Sequence, residues 1–146
     1  MLAIASDHGG FALKQEIMAH LKDTGVEFED LGTYSEESVD YPVYAAKLGK
    51  AVAAGEYERG ILICGTGIGI SIAANKIHGI RCALCSDCYS AEMSRRHNNA
   101  NVLAMGGRTL GGELAKKITD TFLTTEFEGG RHQRRVDLIM ALESEQ

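Results

Sequence analysis

Short apolar runs alternate with amphipathic stretches along this chain. Residues 2–5 are apolar and run into Ser6-Asp7-His8-Gly9-Gly10, which predicts a first strand and a turn. Residues 11–22 carry Leu13, Ile17 and Leu21 at four-residue spacing, one face of a helix that Gly25 ends. Residues 26–31 read as a second strand and residues 33–41 as a polar, acidic loop. Pro42, the only proline, suits the first turn of a helix through Val43, Ala46, Leu48 and Val52 to Gly55. Residues 60–64 are continuously apolar, as in a strand buried on both faces. The glycine-rich turn Gly65-Thr66-Gly67-Ile68-Gly69 follows, and residues 70–77 continue as a helix. Residues 80–85 and 102–105 are the fourth and fifth strands; residues 89–96, 114–123 and 131–142 are helical.

Five strand–helix alternations predict a parallel sheet with helices on both faces. The expected fold is α/β, a three-layer doubly wound sandwich with a five-stranded parallel sheet, in one domain spanning 1–146. Ligands of such sheets bind at the carboxyl ends of the strands. That rule selects Asp7 and His8, Cys64 to Gly69, Asp87, and Gly106 to Arg108.

Bulk properties narrow the function. Hydrophobic residues make up 45% and charged residues 24%, and no apolar run approaches the roughly 20 residues of a membrane span. No membrane association is expected. The start of the chain reads as a strand, not a signal peptide. Four cysteines without a secretory signal point to reduced thiols in the cytoplasm. The formal net charge of -5 argues against a polyanion-coating protein, so no nucleic-acid partner is expected. Arg131, Arg134 and Arg135 are a local exception. A basic patch on an acidic chain suits a small anion.

Three alternate glycines at 65, 67 and 69 let the backbone approach a ligand closely. Amides converging at a helix start attract a phosphate or a developing oxyanion; the bland alternative is a tight turn that binds nothing. A dinucleotide fingerprint would need glycine where Ile70 stands, and a P-loop would need a lysine after the glycines. Asp87, about 20 residues on, partly favours a nucleotide, but the turn follows the third strand and not the first. Cys64 ends a buried strand just before the turn. A thiolate there is a base or nucleophile; a small core cysteine is the other reading.

Cys82, Cys85 and Cys88 have iron–sulfur-like spacing, but Glu92 stands where a fourth cysteine is wanted. An odd separation along a strand also turns Cys82 and Cys85 to opposite faces. They read as two core thiols and one loop thiol, with no metal site. His8 beside Asp7 forms an acid–base or anion-binding pair. His97-Asn98-Asn99 is either chemistry or a helix cap. Tyr41 can reach a substrate hydroxyl or simply pack. Arg131 and Arg135, four apart, share a helix face that would clamp a phosphate; alone, they read better as a solvated basic helix. His20 and His78 read as surface residues.

Several blocks in the right order resemble the ribose-5-phosphate isomerase B family, which also includes galactose-6-phosphate isomerase subunits. They are Ser6-Asp7-His8-Gly9-Gly10, Ser38-Val39-Asp40-Tyr41-Pro42, Cys64 to Gly69, Ser71-Ile72-Ala73-Ala74-Asn75-Lys76, Gly79-Ile80-Arg81, His97-Asn98-Asn99-Ala100-Asn101-Val102 and Gly129-Gly130-Arg131-His132. The resemblance covers nearly the whole chain. It implies an aldose–ketose isomerase without metal or organic cofactor, interconverting ribose 5-phosphate and ribulose 5-phosphate through an enediolate. By position, Cys64 is similar to the base moving a proton between C2 and C1, and Thr66 to the hydroxyl-proton shuttle. The amides of Gly65, Gly67 and Gly69 resemble the enediolate hole. His97 matches the ring-opening group, helped by Asp7. His8, Arg108, Arg131 and Arg135 match phosphate contacts, and Tyr41 and Asn98 hydroxyl contacts. Some relatives place a carboxylate base at the position of Ile70; this chain fits the thiol branch. The resemblance further implies a homodimer or dimer of dimers, with the last helix packed on a partner subunit. It implies that His97, Asn98 and Arg108 reach the site whose Cys64 belongs to the partner. A six-carbon phosphosugar isomerase and a non-catalytic phosphosugar sensor stay open as alternatives.

Overall fold

The computed structural model of the chain describes residues 1–145. Five strands, β1 (Leu2–Ser6), β2 (Phe28–Asp30), β3 (Arg59–Cys64), β4 (Cys82–Leu84) and β5 (Val102–Gly106), form one parallel sheet in the order β2-β1-β3-β5-β4. The helices are α1 (Phe11–Asp23), α2 (Tyr41–Ala53), α3 (Ile68–Ala74), α4 (Cys88–Arg96), α5 (Gly112–Thr124) and α6 (Arg131–Ala141). Short 3-10 turns occupy His8–Gly10 and Leu142–Glu145.

The strand order explains the layers. The steps β1 to β2 and β4 to β5 run one way across the sheet; β2 to β3 and β3 to β4 run the other way. Right-handed crossovers then put α1 and α4 on one face and α2 and α3 on the opposite one. Leu13, Ile17 and Leu21 of α1 accordingly share a core with Ala91 of α4 and Ile118 and Phe122 of α5. Ala45, Leu48 and Val52 of α2 share the other core with Ile70 and Ala74 of α3. Every residue of β1 and β5 is buried, as expected of strands covered on both faces.

The edge strands are shorter than their apolar runs. Each edge strand has one neighbour and pairs with only part of it: β2 with Leu2 to Ile4 of β1, and β4 with Val102 to Ala104 of β5. Helix α3 starts two residues earlier than its apolar pattern suggests. Gly67, at φ 81, turns the chain, and the Thr66 hydroxyl accepts from the Ile68 amide at 3.1 Å. Along α2 the inward stripe is Ala45, Leu48, Gly49 and Val52, which leaves Val43 exposed. Cys82 packs in one core and Cys85 in the other, as their odd spacing requires, whereas Cys88 opens α4 and is not a loop thiol.

Lys14 is the least expected core residue. It is 0% exposed, donating to Asp30 Oδ1 at 2.6 Å and to the Thr33 carbonyl at 2.5 Å. Its ammonium lies over the rings of Phe11 and Tyr34 at 5.7 and 5.4 Å. A buried charge requires such compensation. Here it fastens the segment after β2 to α1. Among the described residues no helix is long and apolar enough to cross a membrane.

Candidate active site

The carboxyl ends of β1, β3 and β5 lie side by side, and their loops are stitched together. The Asp7 amide donates to the Ile63 carbonyl at 3.2 Å, the Gly107 amide to the Cys64 carbonyl at 2.8 Å, and the Arg108 amide to the Gly65 carbonyl at 2.9 Å. Cys64 stands at the middle of this rim, 5% exposed, and its Sγ accepts from the Gly67 amide at 3.1 Å. The Ile68 amide is taken by Thr66. The amides of Gly65, Thr66 and Gly69 have no partner among the described residues. Unpaired amides at a helix start suit an oxyanion.

Two side chains lie against this turn, those of Arg108 and Tyr41. A Cβ at Gly65 would lie 3.3 Å from Nη1 of Arg108, so the Arg108 guanidinium sits beside the Cys64 of its own chain. The expectation has Arg108 reaching a partner's thiol; within one chain its amide bonds the Gly65 carbonyl and its guanidinium lies beside the same turn. A Cβ at Gly69 would lie 2.6 Å from Cζ of Tyr41, so the phenol end of Tyr41 lies against the turn. His8 Nδ1 accepts from the Val39 amide at 3.2 Å. In the neutral ring that leaves the proton on Nε2, as a donor for an anion. The nearly buried Asp7 uses Oδ1 to accept from the Gly10 amide at 3.0 Å, a cap that leaves Oδ2 for chemistry. Asp87, also selected by the strand-end rule, caps α4: it accepts from the Ser90 amide at 2.6 Å and the Ser90 hydroxyl at 2.8 Å, which hold its carboxyl below the usual range.

His97, Asn98, Arg131 and Arg135 are elsewhere. His97 and Asn98 follow α4 and precede Val102, at the amino end of β5, whereas Cys64 is level with Gly106 at its other end. Four strand residues separate these levels, roughly 13 Å. His97 stacks on His132 of α6 with ring centroids 4.1 Å apart and 12° between planes. Oε1 of Glu128 lies 3.9 Å from Nε2 of each ring. Burial, then His97 and Arg131, press the His132 imidazole below its ordinary pKa, against the opposing pull of Glu128. Arg131 and Arg135 are exposed on the same helix. One chain therefore carries two separate halves of the expected site.

The residue types at this second cluster raise the question of a metal. The ligand atoms of His97, Glu128 and His132 lie within 4.8 Å of one another. Nearly parallel rings aim their nitrogen lone pairs side by side instead of at one point, and Arg131 and Arg135 add positive charge. That set favours an anion over a cation. Sequence reasoning named neither Glu128 nor His132, apart from the motif Gly-Gly-Arg-His. A cavity of about 490 Å³ lies between the ends of α3, β4 and α6, lined by Arg81, Cys82, Asn98 and Ile139. It is remote from Cys64.

The family model for Ribose/Galactose Isomerase matches residues 2–139. Ribose-5-phosphate isomerase B of Escherichia coli (strain K12) is 58% identical over 142 residues, covering 97% of this chain and 95% of that one. The structure of Clostridium thermocellum ribose-5-phosphate isomerase B superposes with a TM-score of 0.97 at 55% identity, covering 99% of this chain and 97% of that one. That of the Mycoplasma genitalium ribose-5-phosphate isomerase B with bound ribulose-5-phosphate gives 0.94 at 44% identity, with coverage of 99% and 97%. With a thiol, open amides and an arginine on one rim, and near-complete matches throughout, the chain belongs to the ribose/galactose isomerase family.

Proposed function

We propose that this chain interconverts D-ribose 5-phosphate and D-ribulose 5-phosphate through an enediolate, with Cys64 as the base. The observation that carries the reading is the Cys64 sulfur at a strand tip beside the unpaired amides of Gly65, Thr66 and Gly69. A proton next to a carbonyl becomes acidic enough to transfer only when the resulting oxyanion is stabilised, and preorganised amides supply about 3–4 kcal/mol per donor. Cys64 takes the C2 proton of the open-chain aldose and returns it to C1. The Thr66 hydroxyl keeps its own proton free, because its oxygen accepts from Ile68, and moves the hydroxyl proton between O2 and O1.

The sugar arrives mainly as a furanose. Opening it removes the O1 proton, breaks the bond from C1 to the ring oxygen, forms the C1 carbonyl and protonates the ring oxygen. His97 performs this proton traffic, with Asp7 beside it. His8, Arg108, Arg131 and Arg135 hold the phosphate; Tyr41 and Asn98 hold hydroxyls. Phosphate binding fixes the open chain over the thiol.

His97, Asn98, Arg131 and Arg135 meet Cys64 only if two chains complete one site. The reading therefore includes a homodimer in which α6 crosses to the partner. Leu138, Ile139 and Leu142 support it: all three are exposed on or just after α6, and only His132 and Val136 of that helix are buried. An enzyme with four free thiols belongs in the cytoplasm. A coupled assay on ribose 5-phosphate, beside allose 6-phosphate and without added metal, tests the function. Turnover of the pentose phosphate is expected; turnover of the hexose phosphate alone, or of neither, overturns it.

A further inference from the structure

We propose that His132 is a positioning residue: stacked on His97, it fixes the plane of the imidazole that opens the sugar ring. This rests on the assignment of His97 above. The His97 side chain is 39% exposed, its ring makes no hydrogen bond among the described residues, and Oε1 of Glu128 lies 3.9 Å from its Nε2. An exposed imidazole held by nothing else turns freely about its outer torsion. The His132 ring removes that freedom. Its own side chain is 9% exposed, and it packs almost parallel to His97 at 4.1 Å.

The two rings sit on segments tied to the same anchor. Arg95, nearly buried, donates through Nη1 to Asn99 Oδ1 at 2.9 Å and to the Ala100 carbonyl at 2.6 Å, holding the turn that bears His97. Its Nε donates to the Thr125 carbonyl at 3.2 Å, on the segment leading to α6. The Glu128 amide donates to the Arg96 carbonyl at 3.1 Å, and the His132 amide to the Gly129 carbonyl at 3.0 Å. The stack is thus the meeting of two locked segments. Asn99, at φ 47, is the one non-glycine in the left-handed region among the described residues, so this turn is held in an uncommon shape. Acid–base transfer to a ring oxygen needs one imidazole nitrogen aimed at one point, and a misplacement of about 1 Å costs about a hundredfold.

The test compares H132F, which keeps a flat ring, with H132L, which keeps bulk without one, and with H132A. Steady-state kinetics on ribose 5-phosphate should show H132F within about threefold of the parent. H132L and H132A should lose about 10- to 100-fold in kcat with KM little changed. Thermal midpoints and oligomeric state, measured on the same samples, separate this from unfolding. An H132L variant with the parent's kcat, or H132F as impaired as H132L, overturns the proposal. The His97 ring proton resonances provide a readout independent of activity. Loss of the neighbouring ring's current shift in H132L, with that shift kept or enlarged in H132F, supports the stack, and resonances unmoved in H132L overturn it. A parent protein with no turnover of ribose 5-phosphate would instead sink the functional reading, while leaving the resonance comparison to decide the stack.

Discussion

The Gly67 amide points at the Cys64 sulfur from 3.1 Å, and the same glycine, at φ 81, turns the chain into α3. One residue thus both orients the thiol and opens the set of amides beside it. A side chain at Gly67 would be strained by that φ and would meet Leu84 and the Met105 backbone, so the turn admits little substitution.

Removing the thiol while keeping the amides separates proton transfer from binding. C64A should lose about 10²- to 10⁴-fold in kcat. Calorimetric affinity for a phosphosugar should stay close to the parent's, because phosphate contacts and amides are untouched. Undiminished turnover in C64A would show that another group is the base.

Tyr41 lies against Gly69, where a Cβ would fall 2.6 Å from Cζ. G69A therefore displaces the phenol ring. About a tenfold or greater loss in kcat/KM is expected, with Y41F showing how much of it belongs to the hydroxyl. A G69A enzyme with the parent's kcat/KM would mean that the ring position is immaterial.

Burial pushes the Cys82 thiol up to about 12 and, with help from Asp87, the Cys85 thiol up to about 11. Both stay protonated at pH 8, and the thiolate is the reactive form. Iodoacetamide at pH 8, followed by peptide mass spectrometry, should leave these two unmodified until denaturant is added. Labelling of Cys82 or Cys85 in the folded protein at the rate of a free thiol would contradict the packing described.

K14M should destabilise the fold by about 3–5 kcal/mol, the usual cost of stranding one partner of a buried ion pair. The Thr33 carbonyl would lose the Lys14 donor, and the Asp30 carboxylate would keep only the Gly32 amide. Urea unfolding measures the change, and a loss below about 1 kcal/mol would mean that Lys14 is not the fastening of this segment.

The His132 imidazole is held below its ordinary pKa, first by burial and then by His97 and Arg131. The unfolded chain therefore binds more protons than the folded one between that lowered value and the unfolded value of about 6.5. Stability from this residue is complete above the unfolded value and is lost as pH falls through the window. The urea midpoint of the parent should thus fall further than that of H132F between pH 7.5 and pH 5.5. Equal falls would remove His132 as the cause.

Most elements of the fold could be read from local pattern. The continuous apolar run of β3, the four-residue stripe of α1 and Pro42 in the first turn of α2 each depend on near neighbours, and each stands within a residue or two of its expected place. The glycine-rich turn and the thiol before it were legible for the same reason: a strand followed by a helix puts a turn at the sheet's carboxyl edge whatever surrounds it. The odd spacing of Cys82 and Cys85 likewise dictated opposite faces.

Long-range partners decided the rest. Nothing near Lys14 in the chain distinguishes it from a solvated lysine; Asp30 and Thr33 make it a core residue, and they arrive from another element. His20 reads as a surface residue, yet it meets Asp120 at 2.8 Å across α1 and α5. The strand order put Arg108 beside its own Cys64 and sent His97 to the other end of β5. Periodicity is a property of a few consecutive residues. Which strand ends become neighbours, and which polar groups find partners after losing water, depends on the path of the whole chain through the sheet.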